Sequence, residues 1–213
     1  MRLETIYLKD VYNVLGQDNK NPTLMAYLTD NNQVERDRRH PAVIICLGGA
    51  YKELSDRESE VIALYFLHLG FQAFVLYYSA FPYTYLSQLL EVSAVVYVRD
   101  EAEDFSVDRD KVFACGFSAN GHLAGCAGVF WKKDIIYDKL NIVYGQGKPN
   151  GIILCYPVVS GDQYCEELNS FDYLIGDKDN KNCMRNCHYK MGWMLPHLRC
   201  LYGSLQQISW FRS

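Results

Sequence analysis

Apolar residues in this chain gather in short continuous runs, and the stretches between the runs carry helix-like spacing. Thr5-Ile-Tyr-Leu8 and Thr23-Leu-Met-Ala-Tyr-Leu28, separated by polar residues through Asn21-Pro22, predict an edge hairpin. A charged loop from Asp30 to His40 leads into Pro41-Ala-Val-Ile-Ile-Cys46, a buried-strand run. Ser55-Asp-Arg-Glu58 has the spacing of a capping box, in which the serine hydroxyl accepts from the N–H of Glu58 and the carboxylate reaches back. The helix it opens continues through Val61, Leu64, Tyr65 and Leu67 and stops at Gly70. Phe71 to Tyr78 reads as a buried strand, and Leu86 to about Glu101 has helical spacing. A fourth strand follows from Lys111, a small-residue helix reaches about Trp131, and Gly151 to Tyr156 is the next strand. Strands alternating with helices predict an α/β fold, a mostly parallel sheet covered by helices on both faces.

Composition narrows the class. At 213 residues and 24.5 kDa the chain is long enough to bury a full core as one domain. An apolar content of 49% with only six prolines excludes a disordered protein. The formal charge of −4, with Lys and Arg dispersed, gives no footprint for nucleic acid. Met1-Arg-Leu-Glu-Thr5 has no apolar signal region, and no run approaches the ~20 apolar residues of a membrane span. A cytoplasmic protein without a membrane partner is expected. Eight cysteines are scattered, with Cys46, Cys115 and Cys155 inside strand-like runs, which fits buried reduced thiols better than a disulfide framework. Nothing in the pattern speaks to oligomeric state.

Candidate chemistry sits in Lys111-Val-Phe-Ala-Cys-Gly-Phe-Ser-Ala-Asn-Gly-His-Leu-Ala124. An apolar strand runs into Gly116-Phe-Ser118 and small helix-forming residues follow at once. A turn that tight strains the backbone at Ser118, demands a small residue at Gly116, and leaves the hydroxyl clear of the sheet at a helix N-terminus. The usual pattern is G-x-S-x-G. Here Asn120 takes the last place, with Gly121 one step later, and asparagine's tolerance of unusual backbone angles keeps the turn feasible. Gly48-Gly-Ala50, following the strand that ends at Cys46, exposes N–H groups suited to the second half of an oxyanion hole. The two features together point to an acyl-transfer scaffold.

Those same stretches resemble the α/β-hydrolase esterases of the acetyl-esterase and acetylxylan-esterase-like branch. Pro41-Ala-Val-Ile-Ile-Cys-Leu-Gly-Gly-Ala-Tyr51 is similar to P-A-V-x-x-C-P-G-G-G-Y. Ser55-Asp-Arg-Glu58, Val75-Leu-Tyr-Tyr-Ser79 and Gly116-Phe-Ser-Ala-Asn-Gly-His-Leu-Ala124 resemble S-D-R-E, V-L-x-Y-S and G-F-S-A-G-G-H-L-A, and Tyr156-Pro-Val-Val159 and Phe171-x-x-Leu-Ile-Gly-Asp177 continue the series. Leu47, Ala50 and Asn120 depart from it. The resemblance covers residues 1 to about 180. It implies Ser118 as nucleophile, with the N–H of Ala119 and one from Gly49 or Ala50 as oxyanion hole. It also implies a small-molecule ester as substrate, acetyl-like and carried on carbohydrate, with neither metal nor organic cofactor. His122, four residues past the serine on the same helix, fits a packing role instead of a base. A peptidase on the same fold would use the same serine.

A serine hydrolase also needs a carboxylate and a histidine in the order Ser, acid, His. Asp162, Asp172 and Asp177 read as solvated loop acids, and the only histidines after the elbow helix are His188 and His197. Residues 183–213 hold three of five Met, two of three Trp and three of eight Cys, and no Asp or Glu. Cys183-x-x-x-Cys187-His188 has no second ligand pair at usable spacing, so no metal is expected there. Codons compatible with this stretch, read from a shifted base, can spell L-S-L-Q-N-G-V, T-P-P, V-F-I-W and L-V-P, much as the family reads. The expectation is a frame slip between about Asp177 and Asn182. Residues 1–180 would then be an incomplete α/β-hydrolase domain without its last strands, and 181–213 an out-of-frame tail. The alternative function follows: a catalytically dead, truncated chain lacking triad acid and histidine, with at most a binding role.

Overall fold

The apolar runs become neighbouring strands of one sheet. The computed structural model describes residues 1–15, 21–31, 34, 36–80, 82, 90, 94–158 and 173. Six strands, β1 (Arg2–Tyr7), β2 (Thr23–Leu28), β3 (His40–Cys46), β4 (Gln72–Tyr77), β5 (Val107–Phe117) and β6 (Gly151–Cys155), lie in the order β1-β2-β4-β3-β5-β6. β1 and β2 pair antiparallel as the expected edge hairpin, Arg2 opposite Leu28 and Tyr7 opposite Thr23. β4, β3, β5 and β6 run parallel.

Side chains alternate across each strand and so feed two cores. Ala42, Ile44 and Cys46 of β3 join Phe74 and Leu76 on one face; Val43 and Ile45, with Leu47 beyond, join Ala73 and Val75 on the other. The helices are α1 (Leu8–Val11), α2 (Glu60–His68), α3 (Ala94–Asp100), α4 (Ala119–Phe130) and α5 (Asp134–Leu140). α3, α4 and α5 cover the first face through Val95, Val98, Leu123, Cys126, Ile136 and Leu140, and α2 covers the second through Ala63 and Phe66. Helices on both faces of a mostly parallel sheet match the α/β-hydrolase expectation. Of the helix expected from Leu86 to Glu101, the described part is Ala94–Asp100 with Leu90 before it. The expected out-of-frame tail, 181–213, lies outside the described residues, as do the candidate acids and histidines beyond residue 159.

The capping-box expectation fails. Residues Asp56–Glu58 form a short 3₁₀ turn, the Ser55 side chain makes no cap bond, and the N–H of Glu58 bonds to the backbone oxygen of Ser55 at 3.2 Å. α2 begins only at Glu60, with the Ser59 carbonyl accepting from Ala63 N–H. The Ser59 hydroxyl instead meets the Tyr77 hydroxyl at 2.7 Å. Glu58 is drawn away because its carboxylate has better donors elsewhere in the fold.

Cys46, Cys115 and Cys126 are buried free thiols and Cys155 is half-buried. Burial pushes the Cys46 thiol up to about 12 from an ordinary value of 9.0. The unfolded thiol ionises first, so its contribution to stability is complete below pH 9 and is lost as pH rises towards 12. An aromatic disulfide reagent at pH 8 should therefore leave Cys46 unmodified in the folded protein and label it after denaturation. Mass spectrometry of the labelled peptides checks this, and rapid native labelling of Cys46 would contradict the packing.

Candidate active site

β3 and β5 are adjacent and parallel, with Cys46 opposite Gly116. The segments that continue them, residues 48–51 and Ser118, therefore leave the same carboxyl edge of the sheet side by side. Gly49, Ala50, Ser118 and Ala119 are brought together in this way, from two chain segments far apart in sequence.

Ser118 occupies the bend between β5 and α4 at φ 52 and ψ −125. A non-glycine residue there costs on the order of 1–3 kcal/mol and survives only when its surroundings fix it. Here they do. Its N–H donates to Cys155 O at 3.0 Å, and its carbonyl accepts from Gly121 N–H and Val158 N–H, each at 3.0 Å. As the residue before a helix, it leaves the N–H of Ala119 without an intrahelical acceptor.

The bend closes because two side chains are missing. A Cβ on Gly116 would lie 2.0 Å from the backbone oxygen of Asn120, and one on Gly121 would lie 2.6 Å from Pro157 Cβ. Asparagine's backbone tolerance has no part in it, contrary to the expectation. Asn120 is inside α4, and of residues 116–121 only Ser118 has a positive φ. Asn120 is instead fully buried, its Nδ2 donating to the Tyr78 hydroxyl at 2.9 Å, while its Oδ1 has no partner among the described residues.

The loop after β3 is equally constrained. Gly49, Ala50 and Tyr51 have φ of 130°, 54° and 60°. The Gly49 carbonyl accepts from Lys52 and Glu53 at 3.0 and 3.1 Å, and a Cβ on Gly49 would come within 2.1 Å of Glu53 O. Among the described residues no acceptor meets the N–H of Gly49 or of Ala50. Ala50 carries a left-handed strain of about 1–2 kcal/mol, part of which glycine would relieve. Ala50→Gly should thus stabilise the fold by about 1 kcal/mol, a rise of roughly 2–4 °C in Tm by calorimetry. A fall in Tm would mean that the alanine methyl packs usefully.

His122 has no catalytic disposition. It is 1% exposed, with Nδ1 2.7 Å from the Tyr51 hydroxyl and Nε2 3.5 Å from Cys126 Sγ. The Tyr51–His122 bond ties the glycine loop to the elbow helix, and the Tyr51 ring stands edge-on to Tyr78 at 6.3 Å. The other described histidines lie away from the carboxyl edge. His40, at the start of β3, bonds Gly70 O and Asn31 Oδ1, and His68 ends α2. Asp162, Asp172, Asp177, His188 and His197 are outside the described residues. A cavity of about 390 Å³ lined by Arg99, Arg109, Lys148 and Asn150 lies at the opposite, amino edge of β5 and β6. Arg99 there is spent on the carbonyls of Arg109 and Gln146 and on Asn150 Oδ1, which makes it a brace. Among the described residues no three His, Cys, Asp or Glu side chains gather as metal ligands, and no helix is long and apolar enough to cross a membrane.

A family model described as BD-FAE matches residues 27–158. Endo-1,4-beta-xylanase B of Butyrivibrio fibrisolvens is 32% identical over 169 residues, which is 76% of this chain and 25% of that protein. The chain thus spans about a quarter of the length of this relative. In three dimensions it is similar to an acetyl ester-xyloside bifunctional hydrolase from Caldicellulosiruptor lactoaceticus, with TM-score 0.70, 27% identity, 87% of this chain and 69% of that one. It is also similar to an α/β hydrolase enzyme from a Medee basin deep-sea metagenome library, with TM-score 0.61, 30% identity, 78% of this chain and 60% of that one.

Proposed function

Because the chain belongs to the BD-FAE family, we propose that it is a serine carboxylic-ester hydrolase acting on small acyl, acetyl-like esters carried on carbohydrate. The observation that carries this reading is Ser118 at φ 52, beside a loop whose three consecutive residues from Gly49 all have positive φ. Ser118 Oγ attacks the ester carbonyl and gives its proton to a base. The carbonyl oxygen, now carrying the negative charge, is held by the N–H of Ala119 and by that of Gly49 or Ala50. Collapse of the tetrahedral intermediate breaks the ester C–O bond, and the base hands the serine's proton to the departing oxygen so that the alcohol leaves. The remaining acyl-serine is cleaved by water through the same steps. Fixed N–H donors contribute because they already point where the charge develops; each is worth a factor of about 100–1,000 in rate. The xylan and xyloside names of the relatives support a carbohydrate-borne ester.

A second reading rests on residues 183–213, which contain no Asp or Glu. If they are read out of frame, the serine has no in-frame partner, and the chain binds esters without turning them over. Hydrolysis of a short-chain chromogenic ester and of acetylated xylo-oligosaccharides decides between the two. Serine-dependent turnover supports the esterase; binding without turnover by the chain, with turnover restored in a frame-corrected version, supports the other. The coding DNA across codons 170–213 tests the frame itself.

A further inference from the structure

Among the described residues, Glu58 is the carboxylate that bonds to both halves of the proposed site. Its Oε2 accepts from the N–H of Gly48 at 2.7 Å, and its Oε1 accepts from the Tyr156 hydroxyl at 2.6 Å. Gly48 is buried and immediately precedes Gly49 and Ala50, whose N–H groups are the proposed oxyanion-hole donors. Tyr156, at φ 37, opens the short segment after β6 that braces the elbow: Pro157 fills the space against Gly121, and Val158 N–H bonds Ser118 O at 3.0 Å. The Tyr156 ring also leans on Phe117, the last residue of β5, at 6.0 Å between centroids.

We infer that Glu58 is a positioning residue, its carboxylate clamping Gly48 and Tyr156 so that the diglycine loop and the serine bend keep a fixed separation. The assignment rests on the esterase reading given above. Its physical basis is that an ionised acceptor makes shorter and stronger bonds than a neutral one. Two such bonds from one group also fix the distance between the segments they join. Although the Tyr156 side chain is largely exposed, partial desolvation of its hydroxyl raises it above its ordinary range and its bond to Glu58 raises it further, so it stays a donor at working pH. Among the described residues no other hydrogen-bonded group joins residue 48 to residue 156. Removing the carboxylate therefore leaves the Gly48 N–H buried without its acceptor and lets the start of the loop shift, while Tyr51–His122 still holds its end. A drift of about 1 Å at an oxyanion hole costs about 100-fold in rate.

The test compares Glu58→Ala, Glu58→Gln and Tyr156→Phe with the unaltered chain. Three readings are taken: kcat and KM on a short-chain chromogenic ester, Tm, and amide hydrogen exchange at Gly48, Gly49 and Ala50. Glu58→Ala should lower kcat about 100-fold with KM within about twofold and accelerate exchange at Gly48 about tenfold or more. Glu58→Gln keeps one acceptor oxygen and should recover most of the lost kcat. Tyr156→Phe, at a residue 63% exposed, should fold normally, lower kcat less than Glu58→Ala, and leave Gly48 exchange near the unaltered rate. The inference is overturned if Glu58→Ala leaves Gly48 exchange unchanged, or if its kcat and KM both survive. Failure of the esterase reading looks different: the unaltered chain would show no serine-dependent turnover, and the exchange measurement alone would then judge the clamp.

Discussion

Ser118→Ala is expected to lower kcat for a short-chain ester by a factor on the order of 10⁶, the scale seen when a serine nucleophile is removed from a hydrolase. The fold should barely notice. Ser118 is half-buried and fixed through its backbone, with its N–H on Cys155 and its carbonyl on Gly121 and Val158. Alanine keeps all three bonds, so a change in stability within about 0.5 kcal/mol is expected. Steady-state kinetics beside a thermal melt reads both numbers. Turnover that survives in a well-folded variant would remove the nucleophile assignment, whatever other group then carried the reaction.

Gly116→Ala should do the reverse and strike the fold first. The added carbon would sit 2.0 Å from Asn120 O, 2.6 Å from Asn120 C and 2.9 Å from Ala124 Cβ. Two of those atoms are backbone of the elbow helix, so no side-chain rotation relieves the clash. α4 must move off β5, and the Ser118 bend moves with it. Overpacking of a core typically costs about 1–3 kcal/mol; a collision with backbone belongs at the top of that range or above it. Against a total of about 5–15 kcal/mol for a folded domain this is a large share. It corresponds to a fall of roughly 6–12 °C in Tm, and activity should vanish even in the fraction that stays folded. A variant melting within a degree of the parent would mean that β5 and α4 are farther apart than described.

The sheet was legible because parallel strands buried on both faces write themselves as unbroken apolar runs, as in Ala42–Cys46 and Ala73–Leu76. The serine bend was legible for a related reason: few residue types other than glycine tolerate what Gly116 must do, and the strand before it and helix after it are equally marked. What sequence could not supply was partnership at a distance. Ser55 and Glu58 have the spacing of a local cap, but the carboxylate bonds residues 10 and 98 positions away, and nothing in a four-residue window weighs that competition. Asn120 misled in a similar way. Its identity suggested a backbone device, whereas its amide is committed to Tyr78, 42 residues upstream. Tyr51 was marked only as the closing residue of the stretch that begins at Pro41, and only packing shows it holding His122.

That last contact has a bearing on how the protein is made. Tyr51 and His122 are 71 residues apart, and the stretch between them contains α2, β4, α3 and all of β5. The entropic cost of closing such a span grows with the logarithm of its length, and is met only once the intervening elements are seated. During synthesis the glycine loop therefore emerges early and waits, with its counterpart still inside the ribosome, until the elbow helix arrives to dock against it.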